Sequence, residues 1–199
     1  MLKLLLVRHG ETTWNSSRRL QGDTDIPLSD NGRRQARALR ETIAGHKPDA
    51  LVCSPLSRTR ETAALLGHPP SEDDLDPQWA EANLGEWAGR YAADIRAEGP
   101  EYDAWRAGTF RPPGGEGLNE LSERVLLGLK ALPPQGTVLV VTHGGPVRAV
   151  LRHLLDLDPT RIVPVAPASL TVLQLTGEST RLAAYNVVPP AVEPTEAPD

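Results

Sequence analysis

Arg8-His9-Gly10 and Thr142-His143-Gly144-Gly145 share a setting: each follows directly on a continuous apolar run, Leu4-Leu5-Leu6-Val7 in one case and Val138-Leu139-Val140-Val141 in the other. Such runs read as buried strands, which places both histidines at strand ends. A third run, Ala50-Leu51-Val52-Cys53, ends at Ser54-Pro55, shortly before Arg58. Arginine presents a planar, permanently charged donor fork that suits phosphate oxygens, and a donating imidazole adds a directional contact. Backbone amides near Gly144, ahead of a helix expected to start at Pro146, favour an anion as well. Taken singly, each residue has a plain structural reading. A strand-end histidine is commonly just hydrogen bonded, and Arg58 beside Arg60 and Glu61 resembles a solvated helix residue. Two histidines in the same kind of strand-end context, with arginines close in sequence, favour one shared anion pocket.

Other chemistries find little support. The five histidines are dispersed, and the sequence has no HExxH pair, no paired cysteines and no acidic calcium loop. No metal site is therefore expected. No GxGxxG follows the first strand, and a Walker phosphate loop is absent.

The elements that must carry these residues alternate. Helices are expected over residues 30–44, 55–66, 119–132 and 146–155, between the three apolar runs, which predicts an α/β sandwich. Ser29 is the expected cap of the first helix, Ser54 and Pro55 the cap and first turn of the second, and Gly45 and Gly67 their stops. Residues 169–176 and 181–187 read as two further strands joined through Gly177-Glu178-Ser179-Thr180 as an antiparallel hairpin, which makes the sheet mixed. Residues 85–113 lack a strand pattern and hold Trp87, Tyr91, Tyr102 and Trp105. A helical flap over a site and an ordinary packed helix pair both fit that stretch.

The chain has 199 residues, which suits one domain, read here as residues 1–188, followed by a Pro-rich and acidic tail over 189–199 that is expected to be flexible. A formal charge of -5 argues against a nonspecific nucleic-acid binder, because counterion release requires a basic face. Cys53 stands alone, so no internal disulfide can form and a reducing cytoplasm is the expected location. The opening apolar run is too short for a signal peptide and reads as a strand. No apolar stretch approaches the ~20 residues of a membrane-spanning helix, so no membrane partner is expected.

Extended outward, the motifs acquire a family likeness. Leu6-Val7-Arg8-His9-Gly10-Glu11-Thr12-Thr13-Trp14-Asn15, then Ser54-Pro55-Leu56-Ser57-Arg58, Glu81-Ala82-Asn83-Leu84-Gly85-Glu86-Trp87 and Val141-Thr142-His143-Gly144-Gly145 occur in the order seen in the histidine phosphatase superfamily. That group includes the cofactor-dependent phosphoglycerate mutases, and the resemblance covers roughly residues 2 to 188. It implies a three-layer α/β/α sandwich with a mixed, mainly parallel central sheet and a partly helical insertion. It further implies metal-independent, cofactor-free removal of phosphate from a small phosphomonoester. In this likeness His9 is the nucleophile, and Arg8, Arg58 and His143 complete the phosphate pocket. Glu81 matches the proton donor to the leaving group. An ordinary carboxylate is ionised at neutral pH, so that role needs burial or a neighbouring phosphate dianion to keep a proton on it.

Asn15 and Gly144 are expected on the phosphate, and Gln21, Gly22 and Glu116 on the rest of the substrate. Glu116 closes a Pro112-Pro113-Gly114-Gly115-Glu116 element that resembles one found in many phosphatase branches. Gly117 departs from it, since Ser or Thr usually follows. Length and that element resemble the broad-specificity and α-ribazole phosphatase branches. A phosphoglycerate mutase is the nearest alternative, but typical mutases are longer and carry paired arginines, whereas residues 85–113 offer separated Arg90, Arg96, Arg106 and Arg111. A noncatalytic phospholigand-binding protein is the other alternative, and the presence of both His9 and Glu81 argues against it. Homodimerisation is left open by the sequence.

Overall fold

The computed structural model describes residues 1–177 and 179–189. The order along the chain is β1 (Leu2–Arg8), α1 (Thr13–Ser16), α2 (Asp30–His46), β2 (Ala50–Cys53), α3 (Ser57–Leu65), α4 (Ala92–Glu98), α5 (Glu101–Arg106), α6 (Leu118–Ala131), β3 (Gly136–Thr142), α7 (Gly144–Leu155), β4 (Leu170–Thr176) and β5 (Ser179–Val187), with short 3₁₀ turns between.

The five strands form one sheet in the order β2-β3-β1-β4-β5. β1 and β2 both run parallel to β3, and β4 is antiparallel to β1 and β5, so every strand but β4 points the same way. The continuous apolar runs are explained by burial on both faces. Leu4, Leu6, Val138 and Val140 face one core with Val125 of α6 and Val147 and Val150 of α7. Leu5, Val7, Leu139 and Val141 face the other with Leu39 and Ile43 of α2 and Ala63 of α3. The result is the expected three-layer sandwich.

Register decides what meets at the carboxyl ends. Val7 and Cys53 both pair with Val141, and Arg8 pairs with Thr142. The residues that follow, His9, Ser54 and His143, therefore emerge side by side.

Local expectations fare unevenly. Ser29 caps α2 by accepting from the Gly32 N–H, and Gly67 follows α3 with φ +93. Gly45 does not stop α2: the helix continues to His46, and Lys47 takes the left-handed cap at φ 51. Ser54 and Pro55 do not open α3, which begins at Ser57 with Leu56 as its cap. The Ser54 hydroxyl is engaged instead by His143, at 2.8 Å. Within residues 85–113 the structure shows α4 and α5, and the aromatics pack mainly on one another: Trp87 stacks on Phe110 and meets Trp105 edge-on, while Tyr102 tilts against Trp105. Tyr91 is exposed. β4 and β5 form the hairpin; Glu178 in its turn, and residues 190–199 of the expected tail, lie outside the described residues.

Candidate active site

The pocket grows out of the sheet ends. His9 is pinned through its backbone: its N–H donates to Thr142 O at 2.9 Å, and its carbonyl accepts from Ala168 N at 2.9 Å. Its Nδ1 lies 2.7 Å from Gly10 O, a contact that requires the proton on Nδ1 and leaves the Nε2 lone pair unprotonated. Gly10 serves here by size, not by an unusual backbone angle. A Cβ on it would sit 2.5 Å from Gly32 O, so glycine lets the start of α2 close over the loop.

The His143 ring stands 5.1 Å from that of His9, tilted by 61°. Its Nδ1 accepts from Arg58 Nε at 3.3 Å, so its own proton belongs on Nε2, which donates to Ser54 Oγ. Arg58, fully buried, also donates through Nη1 to Thr24 O and through Nη2 to Gly22 O, both at 2.7 Å. Arg8 donates to Val165 O at 2.7 Å. Burial, followed by the charges of Arg58 and Arg8, holds the His9 ring well below its ordinary pKa, against a smaller opposing pull from the Gly10 carbonyl. Burial and the charge of Arg58 do the same to His143, with smaller contributions from His9, Arg8 and Arg124. Both rings are neutral at physiological pH, so His9 Nε2 keeps an unprotonated lone pair near two permanent cations.

Asn15 and Gln21 sit beside this centre. The Asn15 side-chain oxygen accepts from the Thr12 N–H at 3.1 Å, and the Gln21 oxygen accepts from Thr12 Oγ1 at 2.8 Å. Their acceptor ends are thus occupied, leaving the amide nitrogens for an acceptor in the cleft. Gly144 and Gly145 form the first turn of α7, with His143 as its cap. The Glu81 carboxylate reaches that turn: Oε1 accepts from Ala82 N at 2.9 Å and Oε2 from Gly145 N at 3.2 Å. A Cβ on Gly145 would lie 2.2 Å from Glu81 Oε1, so only glycine admits this approach.

One cleft of about 940 Å³, its open mouth included, takes in Arg8, His9, Asn15, Gln21, Gly22, Arg58, Glu81, Glu116 and Gly144 together. His143 is buried behind it against Ser54 and Arg58. Of the expected residues His143 alone does not line this cleft, its two ring nitrogens being engaged by Ser54 and Arg58, and two that do line it make contacts within the protein that the sequence did not suggest. Gly22 contributes a carbonyl that orients Arg58. The Glu116 carboxylate is held at both oxygens by Arg124, at 3.1 and 2.8 Å. No group of three or more His, Cys, Asp or Glu side chains able to hold a metal occurs among the described residues.

Comparison with known proteins decides the family. The profile of the histidine phosphatase superfamily (branch 1) matches residues 4–188. The chain belongs to the histidine phosphatase superfamily. It is 36% identical over 169 residues to a protein named as a probable phosphoglycerate mutase from Yersinia enterocolitica, covering 80% of this chain and 77% of that one. It is 33% identical over 203 residues to PhoE, an uncharacterized phosphatase of Bacillus subtilis, covering 94% and 95%. The structure of a mycobacterial glucosyl-3-phosphoglycerate phosphatase in complex with VO3 superposes with a TM-score of 0.81 at 33% identity, over 92% of this chain and 98% of that one. The chain is thus a phosphatase-superfamily enzyme with the α/β architecture of its relatives.

Several members of this histidine phosphatase site carried no usable local signal. Ser54 holds His143, yet a Ser-Pro pair before a helix reads as a cap. Thr62 Oγ1 accepts from the Gly10 N–H at 3.1 Å from the middle of α3, a long-range contact that no motif announces. Arg124, on α6, looks like any surface helix arginine.

Proposed function

We propose that this histidine phosphatase hydrolyses small phosphomonoesters through a phosphohistidine on His9, without a metal. The observation that carries the reading is the His9 ring: Nδ1–H fixed on Gly10 O, Nε2 unprotonated, and the ring kept neutral by burial and then by the charges of Arg58 and Arg8. A bound phosphoryl group meets those two guanidinium groups, the Asn15 amide and the first turn of α7. Nε2 attacks phosphorus in line as the P–O bond to the alcohol breaks, and Glu81 gives its proton to the departing oxygen. Water then attacks the phosphohistidine, the N–P bond breaks, the water proton passes to Glu81, and inorganic phosphate leaves. Fixed cations and the helix start supply the charge stabilisation that the transition state needs.

The mutase alternative has the names of six relatives in its favour, all probable phosphoglycerate mutases at 34–36% identity. Against it, three of the four flap arginines are committed to ion pairs: Arg90 with Glu98, Arg96 with Asp103 and Arg111 with Glu120. The fourth, Arg106, lines the cleft near Arg19 and Arg148, but residues 85–113 bring no second arginine to it, which favours water as the phosphoryl acceptor. A reducing, cytoplasmic setting belongs to the same proposal. It fits the single cysteine, Cys53, which lies buried in the sheet core with its thiol pushed up to about 12 by that burial.

Phosphate release from p-nitrophenyl phosphate, α-ribazole phosphate, glucosyl-3-phosphoglycerate and 3-phosphoglycerate, measured in a chelator, tests this reading. Release is expected from at least one ester, with a loss of about 10⁴-fold or more in His9→Ala. Turnover that survives in His9→Ala, or that needs added metal, contradicts the proposal.

A further inference from the structure

The segment that carries Glu81 has almost no secondary structure of its own. Pro77–Trp79 is a single 3₁₀ turn, and residues 80–84 belong to no helix or strand. Backbone carbonyls in such a segment still need donors. One guanidinium supplies most of them. Arg124 Nη1 donates to Pro77 O, Gln78 O and Ala80 O at 3.2, 2.9 and 3.0 Å, and Nη2 reaches Glu81 O at 3.4 Å. The carbonyl it skips, Trp79 O, accepts from Thr142 Oγ1 at 2.7 Å, from the strand that delivers His143. Every carbonyl from Pro77 to Glu81 is therefore held by α6 or β3.

Glu116 fixes the guanidinium in turn, taking Nε and Nη2 on its two oxygens, with both side chains largely shielded from solvent. One helical turn beyond Arg124, Gly128 packs so closely that a Cβ there would lie 2.7 Å from Trp79 Nε1. The same face of α6 thus grips the segment at two points.

We propose that Arg124, locked by Glu116, is a positioning residue that sets the Glu81 carboxyl at the leaving-group oxygen. The inference rests on the acid role given to Glu81 above. A proton donor must lie within hydrogen-bond reach of the departing oxygen, and a shift of about 1 Å can cost on the order of 10²-fold. The Glu81 carboxylate accepts from the backbone N–H groups of Ala82 and Gly145, so its placement follows where its own main chain sits. Glu116, expected from the sequence on the substrate, acts here through Arg124.

The test uses a series of substituted phenyl phosphates, from p-nitrophenyl to unsubstituted phenyl, with kcat/KM read against leaving-group pKa. A nitrophenolate departs without a proton, whereas poorer leaving groups require one. Glu81→Gln is the reference and is expected to steepen the dependence. Arg124→Met is expected to steepen it in the same sense, losing about 10²-fold on phenyl phosphate and under about tenfold on p-nitrophenyl phosphate. Glu116→Gln is expected to do so more weakly, and it carries the test together with Arg124→Lys if thermal unfolding shows Arg124→Met to be misfolded. A uniform loss across the series in the Arg124 and Glu116 variants, with Glu81→Gln steepened, makes the contact purely structural and overturns the proposal. An unchanged slope in Glu81→Gln itself removes the acid assignment, and the positioning role falls with it.

Discussion

The two sides of the cleft are built by different means. On the phosphate side, His9, Ser54 and His143 leave adjacent strands in matched register, and their backbones continue the hydrogen bonding of the sheet. On the side that the proposal gives to the leaving group, Glu81 stands on an irregular segment whose carbonyls are bonded by side chains of α6 and β3. The first arrangement spreads placement over the whole sheet. The second concentrates it in Arg124, Thr142 and the absence of a side chain at Gly145. Damage to the first should weaken every phosphoryl transfer alike; damage to the second should fall on proton delivery.

The sharpest break of the phosphate side is Arg58→Lys. Lysine keeps the charge but cannot serve His143, Gly22 O and Thr24 O together. kcat/KM is expected to fall by about 10²–10³-fold, equally across good and poor leaving groups, with phosphate inhibition weakened in parallel. A loss confined to poor leaving groups would erase the distinction between the two sides. On the other side, the added methyl of Gly145→Ala meets Glu81 Oε1 and must displace it. An intermediate loss, about 10–10²-fold on phenyl phosphate, is expected with p-nitrophenyl phosphate turnover largely kept. Equal losses on both esters would show that the first turn of α7 serves the phosphate alone.

A smaller effect separates the two sides through stability. In the unfolded chain His9 and His143 titrate near 6.5, while the folded rings resist protonation until far lower pH. The unfolded state therefore takes up protons first as pH falls. The contribution of these neutral rings is full above about pH 6.5 and is lost below it, by up to ~1.4 kcal/mol per pH unit for each ring. The thermal midpoint of the phosphate-free protein is expected to drop between pH 7 and pH 5, and to drop less in His143→Asn. A midpoint that is flat over that range would mean the rings are not held neutral.

The same division governs what the sequence reveals. Strands buried on both faces announce themselves as unbroken apolar runs, so β1 and β3 were legible, and with them His9 and His143 at their ends; β2, a half-buried edge strand, was legible by its apolar run alone. Ser54 was legible as a polar residue but not in its role. Its partner lies 89 positions away, and the local Ser-Pro pattern equally fits a helix cap. Gly45 looked like a stop because glycine favours helix ends, yet Lys47 adopts the left-handed turn two residues later. On the Glu81 side the family motif marks the carboxylate, but nothing local marks Arg124 as the group that places it. The Pro-Gly-Gly-Glu element points Glu116 toward the substrate, but nothing in it announces Arg124, nearly two turns into α6, as its partner. Long-range side-chain bonds to an irregular segment leave no periodic trace, whereas sheet burial does.

The central claim is a covalent bond between phosphorus and His9. The direct measurement mixes enzyme with p-nitrophenyl phosphate, quenches within one turnover under alkaline conditions, and maps the modified peptide by mass spectrometry. The account predicts one added phosphoryl group on the peptide that contains His9, present in the wild type and absent in His9→Ala. Rapid turnover with no phosphorylated intermediate, or a phosphoryl group on His143 in its place, would contradict it.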